Sequence, residues 1–209
     1  MSETSSPAKG GSAGSAPPDS NPDGRRKRSE RSKHKIAQAM IELIMEGDIT
    51  PSAEAVAERA EVGLRSVFRH FNDMDSLFAE VSKIMRAEYE PQALKVVPGK
   101  DWQDQLQEMI QLRARVLDKL MPMQRSTFVQ RHRSRFIQDE IARTNKLLRS
   151  TMLEILPPDL AKNTELVEAL DATLSPATWM RLRLDQGLSQ AKARRIVEHM
   201  VTALVKPWL

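Results

Sequence analysis

Cysteine is absent from the 209-residue chain, which excludes disulfides, thiolate metal sites and thiol nucleophiles and fits a reducing compartment. Long apolar runs are absent as well. No stretch approaches the roughly 18 consecutive apolar residues needed to span a bilayer, so no membrane partner is expected. The first 24 residues lack the apolar core of a signal peptide, and the expectation is a soluble, unexported, cytoplasmic chain. Strand signals are missing: no alternating β-branched run exceeds a few positions, and no hairpin turn joins two such runs. Catalytic signatures are missing too, since there is no Gly-x-Ser-x-Gly elbow, His-Glu-x-x-His pair or phosphate-binding glycine loop. His34, His70, His132 and His199 stand apart, with no carboxylate spacing that reads as a metal set. An enzyme is not indicated, and neither a cofactor nor a metal is expected.

What remains is a helical chain whose 40% hydrophobic content can bury a sizeable core. The opening "MSETSSPAKGGSAGSAPPDSNPDG" has almost no large apolar residues and cannot offset the entropy of ordering, so residues 1–28 are expected to form a disordered tail with a basic end. A first helix is predicted from about Ser29 to Glu46, with Ile36, Ala39, Met40, Leu43 and Ile44 in a stripe and Gly47 as a left-handed stop. A second begins after the N-cap Ser52 and repeats Ala53, Val56, Ala57 and Ala60 at i, i+3, i+4, i+7. Its small side chains let another helix come close. After Glu61, Val62 and Gly63, the segment "LRSVFRHF" sets Leu64, Val67, Phe68 and Phe71 on one face, with the aromatics expected in the core. Arg65, Ser66, Arg69 and His70 occupy the other face. Two short helices joined by a tight turn make a helix-turn-helix, and a face of arginine, hydroxyl and imidazole without acids suits base edges and phosphates.

The stretch "AVAERAEVGLRSVFRHFNDMDSLF" resembles the TetR family of bacterial transcriptional regulators. The likeness is close over about 45 residues, and "LSPATWMRLRLDQGLSQAKARRIVEHMVTAL" is similar to the family's last two helices. It implies an N-terminal helix-turn-helix domain, residues 29–74, and a C-terminal helical ligand-binding and dimerisation domain, residues 75–209. It also implies that the Leu64 helix enters the major groove of a palindromic double-stranded DNA operator, with Arg65, Ser66, Arg69 and His70 as contacts, and that a small-molecule effector releases the DNA. Three positions depart from the family pattern. Phe68 stands where the family usually has Tyr, Met74 where it usually has Lys, and Glu61 where it usually has the turn Gly. The first two remove phosphate partners, although free amides at the start of the next helix could hold a phosphate. The third puts a side chain where positive φ favours glycine. These departures also motivate a competing reading, a helix-turn-helix scaffold that serves protein interaction with weakened DNA binding.

Further helices are predicted at about 75–97, 102–120, 123–130, 134–156, 165–186 and 189–205, with Ser175-Pro176 restarting the fifth of them. Met85, Trp102, Met109, Met121, Met123, Phe128, Phe136, Met152 and Trp179 are the large or flexible apolar candidates for lining an effector pocket. The last helix carries a wider apolar face than one neighbour needs. The resemblance implies a homodimer through a four-helix bundle, which fits Leu182, Leu184, Ile196, Val197, Met200 and Leu204.

Charge is distributed unevenly. Residues 25–35 hold seven basic side chains against Glu30, whereas residues 36–78 hold three arginines against eight acids. An acidic DNA-binding body needs its phosphate attraction from elsewhere. Arg28, Lys33 and Lys35 are therefore expected to face phosphate, in a segment acting as a minor-groove arm.

Overall fold

The computed structural model describes residues 22–95 and 101–208, and every regular element among them is helical. Helix α1 spans Pro22–Glu46, α2 Ala53–Arg59, α3 Leu64–His70 and α4 Met74–Ala93. Then follow α5 Trp102–Lys119, α6 Met121–Gln130, α7 Arg135–Ile155, α8 Pro158–Ala161, α9 Thr164–Thr173, α10 Pro176–Met180 and α11 Gln190–Val205. No described helix is long and apolar enough to cross a membrane.

Two hydrophobic cores organise these helices. The first collects Ile36, Met40 and Ile44 of α1, Val56, Ala57 and Ala60 around α2, and Val67 and Phe71 around α3. It also takes Leu77, Phe78 and Val81 of α4 and Ile137 of α7. The second joins Leu106, Met109 and Ile110 of α5, Met152 and Ile155 of α7, Leu166 and Leu170 of α9, Trp179 of α10, and Ala193, Val197, Val201 and Val205 of α11. Because α4 leaves the first core to pack on α5 and α7, packing crosses residue 75 without a break. Arg86 of α4 pairs with Glu140 of α7 at 2.8 Å, and Arg143 of α7 reaches both Glu140 and Glu90.

The start of α1 corrects the expectation of a tail through residue 28. Helix begins at Pro22, where a proline's missing N–H and fixed φ suit the first helical turn; residues 1–21 lie outside the described residues. Among the described side chains of α1, which begin at Arg26, the first buried one is Ile36. Its N-terminal turns therefore run ahead of the core, clothed in the basic residues. Downstream, the restart at Ser175-Pro176 is present: the Ser175 Oγ accepts from the Thr178 amide at 3.2 Å, and α10 continues as a wide turn over Arg181–Asp185. The expected Pro98-Gly99 terminator of α4 lies outside the described residues. Helix α8 was not expected, since four residues are too few for periodicity to register.

Both helices of the first motif pair end alike. Gly47, at φ 112°, follows α1, and the Asp48 amide donates back to Leu43 O at 3.0 Å. Glu61, at φ 51°, follows α2, and the Val62 amide donates to Ala57 O at 3.0 Å. These are Schellman ends, which require a left-handed residue. Glycine meets that requirement freely, whereas an L side chain costs about 1–2 kcal/mol there. The departure of Glu61 from the usual turn glycine thus leaves the turn intact and adds strain. Its carboxylate is held by Lys35 Nζ at 2.8 Å, a solvent-exposed contact of small weight. Replacing Glu61 by Gly is expected to raise Tm by about 2–4 °C, the shift that 1 kcal/mol produces in a chain of this size, as read by calorimetry; an unchanged or lower Tm would show that the Lys35 contact outweighs the backbone strain.

Candidate nucleic-acid interface

The geometry of α2 and α3 is set by their caps. Ser52 Oγ accepts from the Ala55 amide at 3.2 Å and starts α2. Gly63 starts α3 without a side-chain cap, which leaves the first amides of that helix unclaimed by side chains. Beyond α3, Asp73 and Ser76 form a capping box: the Ser76 amide donates to Asp73 Oδ1 at 2.8 Å, and the Asp73 amide donates to Ser76 Oγ at 3.4 Å. This corrects the expectation of free phosphate-holding amides at the start of α4, because the Asp73 carboxylate already sits there with its negative charge.

The exposed face of α3 also differs from expectation. Val67 and Phe71 are buried, but Phe68 is 52% exposed and Leu64 36% exposed. At about 100° per residue, Leu64, Phe68, Arg65 and Arg69 form one continuous outward strip. Ser66 and His70 lie on its far edge and are half-buried. The aromatic expected in the core is therefore on the surface, because a two-turn helix lying on one neighbouring core can bury only the side centred on Val67. Arg65 and Arg69 have no acid within ion-pair distance among the described residues. Arg59, by contrast, is fully engaged, reaching Glu46 at 2.6 Å and Glu42 at 3.6 Å, and so ties α2 to α1.

His70 is only weakly available. Its Nε2 is buried with no hydrogen-bond partner. Burial, and then the nearby Arg69 and Lys33 charges, hold its pKa below the ordinary imidazole value, with Glu30 opposing. Of the expected phosphate contacts, Arg28 is exposed, Lys33 is half-buried and Lys35 is engaged with Glu61. All three lie within α1, which corrects the arm expectation. A helix about 10–12 Å across cannot thread a minor groove about 6 Å wide, so these cations can reach only the phosphate ridges.

The expected pocket residues do not converge. Met109, Met152 and Trp179 are packed inside the second core with Trp102 at its edge, whereas Met85, Met123 and Phe136 pack on the first. Met121 is half-buried. Phe128 is half-exposed, with the Arg131 guanidinium 4.2 Å above its ring centre. Of the expected interface residues, Leu182 and Val197 are turned into the subunit's own core. Ile196, Met200 and Leu204 lie one step round α11; Met200 is 39% exposed, and Leu184 is 43% exposed.

No protein-family model matches the chain, and no curated protein matches it. Solved structures do. A transcriptional regulator from Rhodococcus sp. Rha1 has a TM-score of 0.64 over 84% of this chain and 97% of its own, at 16% identity. A Rhodococcus sp. protein described as a TetR-family transcriptional regulator has the same TM-score over 84% of this chain and 98% of its own, at 15% identity. The likeness is one of fold: an all-helical chain with a helix-turn-helix near its start.

The state of His70 carries a pH dependence. Its folded pKa lies below its unfolded one, so the unfolded chain binds more protons in the interval between them, and stability falls as pH drops through that interval. Melting between about pH 8 and about pH 5, on either side of the ordinary imidazole value, should show a smaller loss of Tm for His70→Gln than for the parent protein. Equal losses would place the dependence on other groups.

Proposed function

We propose that this chain is a DNA-binding transcriptional regulator of the TetR type, working in the cytoplasm as a homodimer on a palindromic operator, as a repressor that a small effector releases. One observation carries the DNA-binding part: the second helix of a helix-turn-helix presents Arg65 and Arg69 outward with no acid beside them, in a body that is otherwise acidic. In this reading α3 lies in the major groove with Arg65 and Arg69 on guanine edges, and Phe68 offers an apolar edge suited to a thymine methyl. The cationic turns of α1 supply phosphate attraction. Ser66 and His70 sit at the margin of the contact. The regulators of similar fold support the assignment, and nothing in the catalytic repertoire competes with it.

The release step follows from energetics. An effector shifts the operator-binding equilibrium only if it prefers the form whose two recognition helices fit the half-sites badly. The homodimer rests on α11, where Ile196, Met200 and Leu204 repeat every fourth residue outside the buried row Ala193, Val197, Val201 and Val205. A second reading, a protein-interaction module, draws on the exposure of Leu64 and Phe68. Sequencing genomic fragments retained by the protein separates the two: recovery of one palindrome supports the regulator, and recovery of no common sequence supports the module.

Two outcomes test the parts. Arg69→Ala should weaken operator binding by about 1–3 kcal/mol and relax one base position, whereas deleting residues 1–28 should weaken operator and random DNA alike and flatten the salt dependence; equal losses on both DNAs for Arg69→Ala would remove it as a base reader. Met200→Glu, at an exposed site, should leave a folded protein that is monomeric in light scattering, and a persisting dimer would place the interface elsewhere.

A further inference from the structure

Arg113 is the one described arginine buried outright. It sits on α5 with 4% of its surface exposed. It falls on the apolar stripe of that helix, at helical spacing from Leu106, Met109 and Ile110, a position that periodicity assigns to the core. No carboxylate lies within ion-pair distance of it among the described residues. One Nη2–H donates to the Leu148 carbonyl at 2.5 Å, but Nε is buried and meets no acceptor. Asp171 acts on it from farther off, yet the Asp171 carboxylate is taken by Arg149 at 3.2 Å. Burial pushes the Arg113 pKa down to about 10, so the side chain still carries its charge at neutral pH. A charge taken out of water without an opposite charge is costly, and packing alone gives no reason to keep it there.

A second unsatisfied donor lines the same space. Trp179 of α10 is 3% exposed, and its indole Nε1–H also meets no acceptor. Arg113 and Trp179 wall a narrow cleft where α5, α9, α10 and α11 meet; Ile110, Leu117, Leu174 and Val197 give it apolar sides, and Ala114, Thr173 and Ser175 complete the lining. Its volume is about 10 Å³, room for a single water-sized group.

We propose that this cleft is the anionic end of the effector site and takes a small carboxylic acid with an apolar body, its carboxylate between Arg113 and Trp179. The inference rests on the effector-responsive part of the function proposed above and names the ligand's chemistry. A carboxylate accepts from both donors and supplies the missing negative charge; a neutral amide or alcohol can accept but brings no charge to oppose the guanidinium. The apolar body enters among Ile110, Leu117, Leu174 and Val197. Because the cleft is closed to one water's width, admitting that body displaces α11 from α5. Val197 of the wall adjoins Ile196 of the proposed dimer face, so the displacement reaches the subunit contact directly.

The test uses the full chain with benzoate and hexanoate as probes and benzamide and hexanamide as their uncharged counterparts. At least one carboxylate should raise Tm and change tryptophan fluorescence saturably, with the matching amide at least about tenfold weaker. Arg113→Met should weaken that response by about tenfold or more, the scale of a lost hydrogen bond to a charged group. Without ligand, Arg113→Met should melt no lower than the parent. It removes an unpaired charge at similar volume, and the Leu148 carbonyl keeps its helical partner within α7. Three results overturn the proposal: no saturable response to either acid, an equal response from Arg113→Met, or a ligand-free Arg113→Met that melts well below the parent, which would make Arg113 a structural strut. Operator binding, measured separately, keeps the two readings distinct. A protein that binds DNA but ignores the acids defeats this inference alone, and one that binds the acids but no DNA defeats the DNA-binding reading alone.

Discussion

Helix α4 is the constraint on which the rest of the molecule depends. Its first turns hold Leu77, Phe78 and Val81 in the core beneath α3, and its later turns hold Arg86 and Glu90 against α7. The helix has 20 residues and spans about 30 Å, with an internal proline, Pro91, in its last turn just beyond Glu90. The capping box of Asp73 and Ser76 fixes where that rod begins, two residues after Phe71 closes α3. The turns before that proline move together, so a tilt of α4 against α7 moves α3 with it. Ile137 of α7, seated in the first core, gives the same link a second anchor.

The two cores divide their work differently. The first is closed by small residues of α2 against large ones of α1, and its polar ties are short and local, as between Arg59 and Glu46. The second contains polar groups that its own chain does not satisfy. A fully satisfied core is expected wherever stability alone is at stake. Arg113 and Trp179 bring two unsatisfied donors to one cleft of that core, whereas beside the first core His70 Nε2 lies unsatisfied on α3, next to the cationic Arg69.

Much of this was legible in the sequence, and the failures have physical reasons. The turn from α2 to α3 could be read because small residues at i, i+3, i+4, i+7 and a Ser cap point the same way, and Glu61 adopts the left-handed backbone that its position implied. Phe68 could not be placed. In a helix of two turns the apolar residues cover more than the half that packing can bury, and spacing alone does not say which edge stays outside. The same holds for α11, where Val197 and Met200 belong to one wide apolar face but only packing separates the inner row from the outer. The start of α1 was missed because residues 22–28 hold no large apolar side chain from which a helical period could be read, although Pro22 is a recognised first-turn residue. Arg113 was passed over because an arginine is ordinarily taken for surface; its place on the apolar stripe of α5 was the signal available.

The cationic turns of α1 have a further consequence. A helix carries partial positive charge at its amino end, and clustered cations there oppose both that dipole and one another. Added salt screens this repulsion, so the first turns of α1 gain helix stability as ionic strength rises. The turns that bury Ile36, Met40 and Ile44 draw theirs from packing instead and are far less sensitive to it.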